Sequence, residues 1–220
     1  MEKNMDKNFK CQFLSWEGAW NLSKVTAKKI IQSGYEPDMI IGVTRGGWVP
    51  AMNLSDLLGI KDLLALKVEH WGITATKSKK AELKFPLRTD LTGKNILLVD
   101  DLTDTGESVK ISTEHIKTLN PREIKTATLL HKSQSIFEPD FYAKEIREWV
   151  WIILPWNLTE DLCNLVKRVL ERRKEIGKEM DLDEIQNSLM ERFDLKVDKE
   201  TLKEILEELK RRNHQIRRNL

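Results

Sequence analysis

Ile96-Leu97-Leu98-Val99-Asp100-Asp101-Leu102-Thr103-Asp104-Thr105-Gly106-Glu107-Ser108 reads as a strand, a turn and the start of a helix. Its leading apolar residues form the short, unbroken run expected of a parallel strand covered on both faces. That run predicts an α/β protein with a doubly wound, mainly parallel sheet. Two adjacent carboxylates close the strand. Asp104 to Ser108 then place hydroxyls and a glycine where the chain must turn tightly and present backbone N–H groups. A helix expected from about Thr105 to Leu119 adds the positive end of its dipole, so the turn suits an anion such as a phosphate monoester. Asp-Thr-Gly alone is an ordinary capping turn; the strand and the paired acids before it carry the reading.

A second strand, Met39-Ile40-Ile41-Gly42-Val43, runs into Thr44-Arg45-Gly46-Gly47 ahead of a helix starting near Trp48, with Pro50 tolerated in its first turn. The glycines allow close backbone approach to a ligand, and Arg45 supplies a charged fork. The strand, the two adjacent Asp, the third Asp and the Thr-Gly-x-Ser cradle together resemble the phosphoribosyl pyrophosphate (PRPP) segment of type I phosphoribosyltransferases. The resemblance implies that Asp100 and Asp101 face the ribose hydroxyls and a Mg2+ ion. It implies that Asp104, Thr105, Gly106, Glu107 and Ser108 wrap the 5-phosphate, and that Thr44, Arg45, Gly46 and Gly47 hold the pyrophosphate. A cis peptide at Thr44-Arg45 is also implied. Glu107 departs from the pattern, because an acid beside a phosphate is repulsive unless its side chain turns away.

Working outward, Ser15 is expected to cap a helix that carries Trp16, Trp20, Val25, Ile30 and Ile31 as its apolar positions and closes at Gly34. Leu63 to Val68 reads as a strand. Glu69 to Thr92 reads as a long irregular segment whose Lys77, Lys79 and Lys80 suggest either a lid over the ligand or a solvated basic loop. Pro121 breaks the helix before the next strand, Lys125 to His131, and Lys132 stands at that strand's C-terminal end, the edge where α/β sheets collect ligands. Trp149 to Trp156 reads as a last apolar strand with period-2 alternation.

Its Trp-Ile-x-x-Pro-Trp order resembles the hood of xanthine-guanine-type purine phosphoribosyltransferases. By that resemblance Trp151 stacks on a purine, Ile152 meets the base edge through its backbone, and Lys132 donates to a 6-oxo group. An ammonium has donors and no acceptor, so it disfavours adenine. The resemblance, over roughly residues 10 to 158, implies conversion of xanthine, guanine or hypoxanthine and PRPP to a nucleoside monophosphate in purine salvage. Asp104 and Arg45 would be catalytic, Asp104 by accepting a proton near purine N7 or by charge alone. A PRPP-sensing regulator whose tail binds nucleic acid or a partner is the alternative; a pyrimidine or adenine enzyme is disfavoured by Lys132.

The chain of 220 residues has a net charge of +2, two cysteines and four histidines without ligand spacing, which argues against a disulfide framework or a zinc site. No apolar run reaches membrane-span length and no export core follows Met1, so a cytoplasmic protein is expected. Residues 1–158 are expected to form the phosphoribosyltransferase domain with its hood, and 159–220 a helical extension resembling a helix-turn-helix. In that extension Asp183 is expected to cap a second helix and Asp198 a third. Lys plus Arg equals Asp plus Glu from Glu160 to Leu220, 15 each. Packing or homo-oligomerisation is therefore favoured over nucleic-acid binding, despite the basic Lys210-Arg211-Arg212 end; the family resemblance implies a dimer or tetramer.

Overall fold

The computed structural model describes residues 8–70, 81–175 and 180–218. The chain runs β1 (Cys11–Phe13), α1 (Trp16–Ser33), β2 (Met39–Thr44), α2 (Trp48–Leu58), β3 (Leu63–His70), β4 (Ala81–Phe85) and β5 (Asn95–Thr103). It continues through α3 (Glu107–Lys117), β6 (Glu123–Lys132), β7 (Phe141–Ile146), β8 (Trp151–Ile153), α4 (Leu158–Glu175), α5 (Leu182–Phe193) and α6 (Lys199–Arg218). Two compact units result: residues 15–70 with 81–149, and residues 8–14 with 150 onward.

Among the described residues of the larger unit, one sheet of six strands runs β4-β3-β2-β5-β6-β7, parallel except for the edge strand β4, which is antiparallel to β3. β5 lies inside it, and its alternate residues serve two cores. Ile96 and Leu98 pack with Val109 and Ile116 of α3, while Leu97 and Val99 pack with Ala27 and Ile30 of α1 and Ala51 and Leu54 of α2. This is the doubly wound arrangement the strand's uniform apolarity predicts.

Ser15 caps α1 by accepting from Gly18 N at 3.0 Å, and Gly34 ends the helix at φ 73°. The helix is where expected, but of its expected apolar positions only Ile30 is buried. Trp16 is 60% exposed and Ile31 63%, whereas Ala19, Ser23, Thr26, Ala27 and Ile30 are buried. Small residues let α1 approach its neighbours closely: Thr26 Oγ1 donates to Thr128 O at 3.2 Å, and Asn53 of α2 donates to Ser23 Oγ at 3.0 Å. β4 also corrects the irregular 69–92 expectation, since Ala81 to Phe85 pair with β3. The lid residues Lys77, Lys79 and Lys80 lie outside the described residues.

In the smaller unit β1 pairs in parallel with β8, Cys11 opposite Trp151. The strand expected over Trp149 to Trp156 is thus shorter and belongs to a separate two-stranded sheet. Ile153 and Cys11 join a core with Leu162, Leu165, Val166, Leu189, Phe193 and Leu202, so residues from Val150 onward pack with the helices and the unit starts ahead of 159. Asp181, not Asp183, caps α5, in a reciprocal capping box with Glu184. Asp183 instead pairs with Lys199 at 2.6 Å. Asp198 accepts from Thr201 N at 2.8 Å ahead of α6. Glu208 bonds both Arg211 and Arg212, so the basic end carries an acid within its own turn. Among the described residues no helix is long and apolar enough to cross a membrane.

Candidate active site

Strands β2, β5 and β6 end on one edge of the larger unit's sheet, and the sequence there supplies the polar candidates. After β2 the chain turns at once: Gly47 N donates to Val43 O at 2.8 Å and Trp48 N to Arg45 O at 3.2 Å. The Thr44-Arg45 peptide is cis. This loop lies against the paired acids of β5. A Cβ on Gly46 would run into the Asp101 carboxylate, and one on Gly47 would lie 2.5 Å from Val99 O and 2.7 Å from Asp100 Cα. Only glycine permits that approach.

Asp100 is buried and accepts from Asp101 N at 2.9 Å. Burial holds its carboxyl well above the usual range, and the neighbouring Asp101 charge adds to the shift. A carboxyl whose folded-state pKa exceeds its unfolded value loses stability for the fold as pH rises above the ordinary carboxylate range. Asp100→Asn is therefore expected to raise Tm at pH 7, with the gain shrinking as the pH approaches about 4. Melting curves at both pH values test this; an unchanged or lower Tm at pH 7 would contradict it.

The turn after β5 is tighter than expected, so α3 begins at Glu107 and not Thr105. Gly106 takes φ 86°, and a Cβ there would be 2.8 Å from Phe137 N and 2.5 Å from Ser135 Oγ. Thr105 O accepts from Ile136 N at 3.0 Å, which pins the turn to the segment after β6. Ser108 falls in the first turn of α3. The departure at Glu107 has a local explanation: its Oε2 accepts from Ala81 N, the first residue of β4, at 3.1 Å.

Lys132 ends β6 with its side chain 1% exposed, and its Nζ lies 2.9 Å from Oδ1 of Asp104, which is 38% exposed. Trp149 places its ring centre 5.3 Å from the same ammonium. The sequence singles out Asp104 and Lys132 separately; the fold joins them. Trp151 and Ile152 belong to the smaller unit. Ile152 is buried, and Trp151 is partly buried with its indole Nε1 donating to Asp161 Oδ1 at 3.2 Å. Asp161 and the position of Trp149 were not legible, since neither residue has a spacing that names its partner. Among the described residues no group of three or more His, Cys, Asp or Glu could hold a metal ion; Asp100 and Asp101 are adjacent oxygen donors near the end of β5.

Glycine-bearing loops and paired carboxylates on the C-terminal edge of a doubly wound sheet define an α/β protein that takes its ligand at that edge. The sequence matches the phosphoribosyl transferase domain over residues 12–161, and the chain belongs to the phosphoribosyltransferase family. It is 32% identical over 152 residues to a xanthine-guanine phosphoribosyltransferase of Cereibacter sphaeroides, covering 66% of this chain and 86% of the relative. It is 30% identical over 146 residues to one of Desulfotalea psychrophila, covering 66% and 84%. A solved purine phosphoribosyltransferase of Pyrococcus horikoshii superposes with a TM-score of 0.57 at 33% identity, covering 66% of this chain and 93% of that one.

Proposed function

We propose that this phosphoribosyltransferase joins a 6-oxopurine, namely xanthine, guanine or hypoxanthine, to PRPP, giving a nucleoside monophosphate and pyrophosphate. The observation that carries the reading is the buried Lys132 ammonium paired with Asp104 at the edge where the Gly46-Gly47 loop meets the paired acids and the Gly106 turn follows them. A carbonyl at C6 can accept from Lys132, and a 6-amino group cannot.

In the reaction the C1′–O bond to pyrophosphate breaks as purine N9 bonds to C1′, and the base gives up a proton. Positive charge grows on the ribose, so preorganised charge and orientation carry the rate. Arg45, with the backbone N–H of Gly46 and the adjoining Thr44, binds the leaving pyrophosphate; the Gly47 N–H is taken by Val43 O, so Gly47 serves by letting the loop close against β5. Thr105, Gly106 and Ser108 hold the 5-phosphate at the start of α3, and the engagement of Glu107 with Ala81 supports its turning away. Asp100 and Asp101 orient the ribose hydroxyls. Asp104 accepts the proton at purine N7 as N9 attacks. Trp151 stacks on the base and Ile152 contacts its edge.

Mg2+ suits the donor set, because it keeps waters and binds through one or two carboxylates plus substrate phosphates. Asp101 and Asp100 would hold it, and when bound it supplies positive charge to the phosphates.

Steady-state formation of nucleoside monophosphate from PRPP with each of hypoxanthine, guanine, xanthine and adenine tests the reading. Turnover confined to 6-oxopurines is expected. Turnover of adenine alone would overturn the base assignment, and no turnover of any purine despite PRPP binding would overturn the reading.

A further inference from the structure

We infer that Asp161 is a positioning residue for purine recognition: it fixes the ring plane of Trp151 through the indole N–H. The inference rests on the proposed stacking role of Trp151. The indole nitrogen is a donor only, so its hydrogen bond to Asp161 Oδ1 at 3.2 Å selects one ring orientation over the one that points the N–H elsewhere. Both ends of this contact are anchored. The Trp151 backbone is held in the β1–β8 pair, where its N donates to Lys10 O at 2.9 Å. Asp161 is buried in the first turn of α4, where a carboxylate also meets the favourable end of the helix dipole.

The next residues of α4, Leu162, Leu165, Val166 and Val169, form the core of the helical unit with Leu189, Phe193 and Leu202. Asp161 is the last residue of the family match, and the α4 residues after it pack with α5 and α6, which anchors the helix that carries the carboxylate.

A double-mutant cycle on the full chain tests this, with KM for the base, KM for PRPP and kcat measured for D161A, W151F and the pair. D161A is expected to raise the base KM roughly threefold to tenfold, the size of a misaligned stacking contact, with KM for PRPP and kcat little changed. In the W151F background, where no indole N–H remains, D161A is expected to add nothing. D161N, whose amide oxygen still accepts, is expected to restore the original base KM. D161S keeps a polar helix start but is too short to reach the indole, and serves if the alanine variant does not fold. Equal effects of D161A in both backgrounds, or a joint loss across kcat and both KM values, would overturn the inference. A normal base KM in W151A would also overturn it, while leaving the 6-oxopurine reading intact. Absence of purine turnover by the unaltered chain is a separate result, and it removes both.

Discussion

Asp104→Asn is expected to lower kcat with a 6-oxopurine by about a hundredfold to ten-thousandfold, the range for losing a positioned proton acceptor. The substitution preserves shape and leaves an amide oxygen where Oδ1 now lies 2.9 Å from Lys132 Nζ. It removes only the charge and the basicity. KM for PRPP should therefore change little, because the groups proposed to hold the 5-phosphate are backbone N–H groups and hydroxyls that the substitution does not touch. Stability should fall modestly. The ammonium is almost fully buried and loses its counter-charge, but Asp104 is more than a third exposed and solvent screens the pair. Single-turnover kinetics beside a melting curve separate these effects; a kcat within tenfold of the unaltered protein would remove Asp104 as the proton acceptor.

Gly47→Ala and Gly46→Ala are expected to fail in different ways. At position 47 the new Cβ would meet backbone atoms, 2.5 Å from Val99 O, 2.7 Å from Asp100 Cα and 2.8 Å from Val43 O. None of these is the far end of a flexible side chain, and they belong to the central strands β2 and β5. Overpacking of this kind costs about 1 to 3 kcal/mol. A lowered Tm together with lost activity is expected. At position 46 the Cβ would meet the Asp101 carboxylate, which can swing aside. The fold should persist, but Asp101 would leave the place from which it is proposed to orient the ribose. A misplacement of that order lowers kcat/KM by about a hundredfold. Tm and kcat/KM for both variants make the comparison; equal melting behaviour would contradict the assignment of backbone to one contact and side chain to the other.

The sequence made the centre of the fold legible and left its margins obscure. β5 and β2 announce themselves because strands buried on both faces must be apolar throughout. β4 and β7 are edge strands, and Glu82, Lys84, Lys144 and Glu145 give them the charge that protects an open edge from further pairing. Ala81, Leu83 and Phe85 do alternate with those acids and bases, a period-2 signal hidden within a segment otherwise read as irregular. In α1 the caps are local and were readable, whereas the buried face was set by close packing of Ala19, Ser23 and Ala27, which bulk and hydrophobicity do not rank highly.

The candidate site divides in the same way. The two loops are contiguous in sequence and carry their glycines in view. The pairing of Asp104 with Lys132 joins residues from β5's following turn and the end of β6, and the parallel register of those strands brings the two regions together. Glu107 looked anomalous as an isolated letter because its partner, Ala81 N, lies on another element.

The ion pair at the end of β6 bears on how a base is chosen. The Lys132 ammonium has three N–H donors and one carboxylate oxygen at 2.9 Å, so on the proposed assignment a C6 carbonyl would share the cation with Asp104 and would not have to displace it. The carboxylate would hold the ammonium in place before a base arrives, and a ring edge that offers only donors would gain nothing from it.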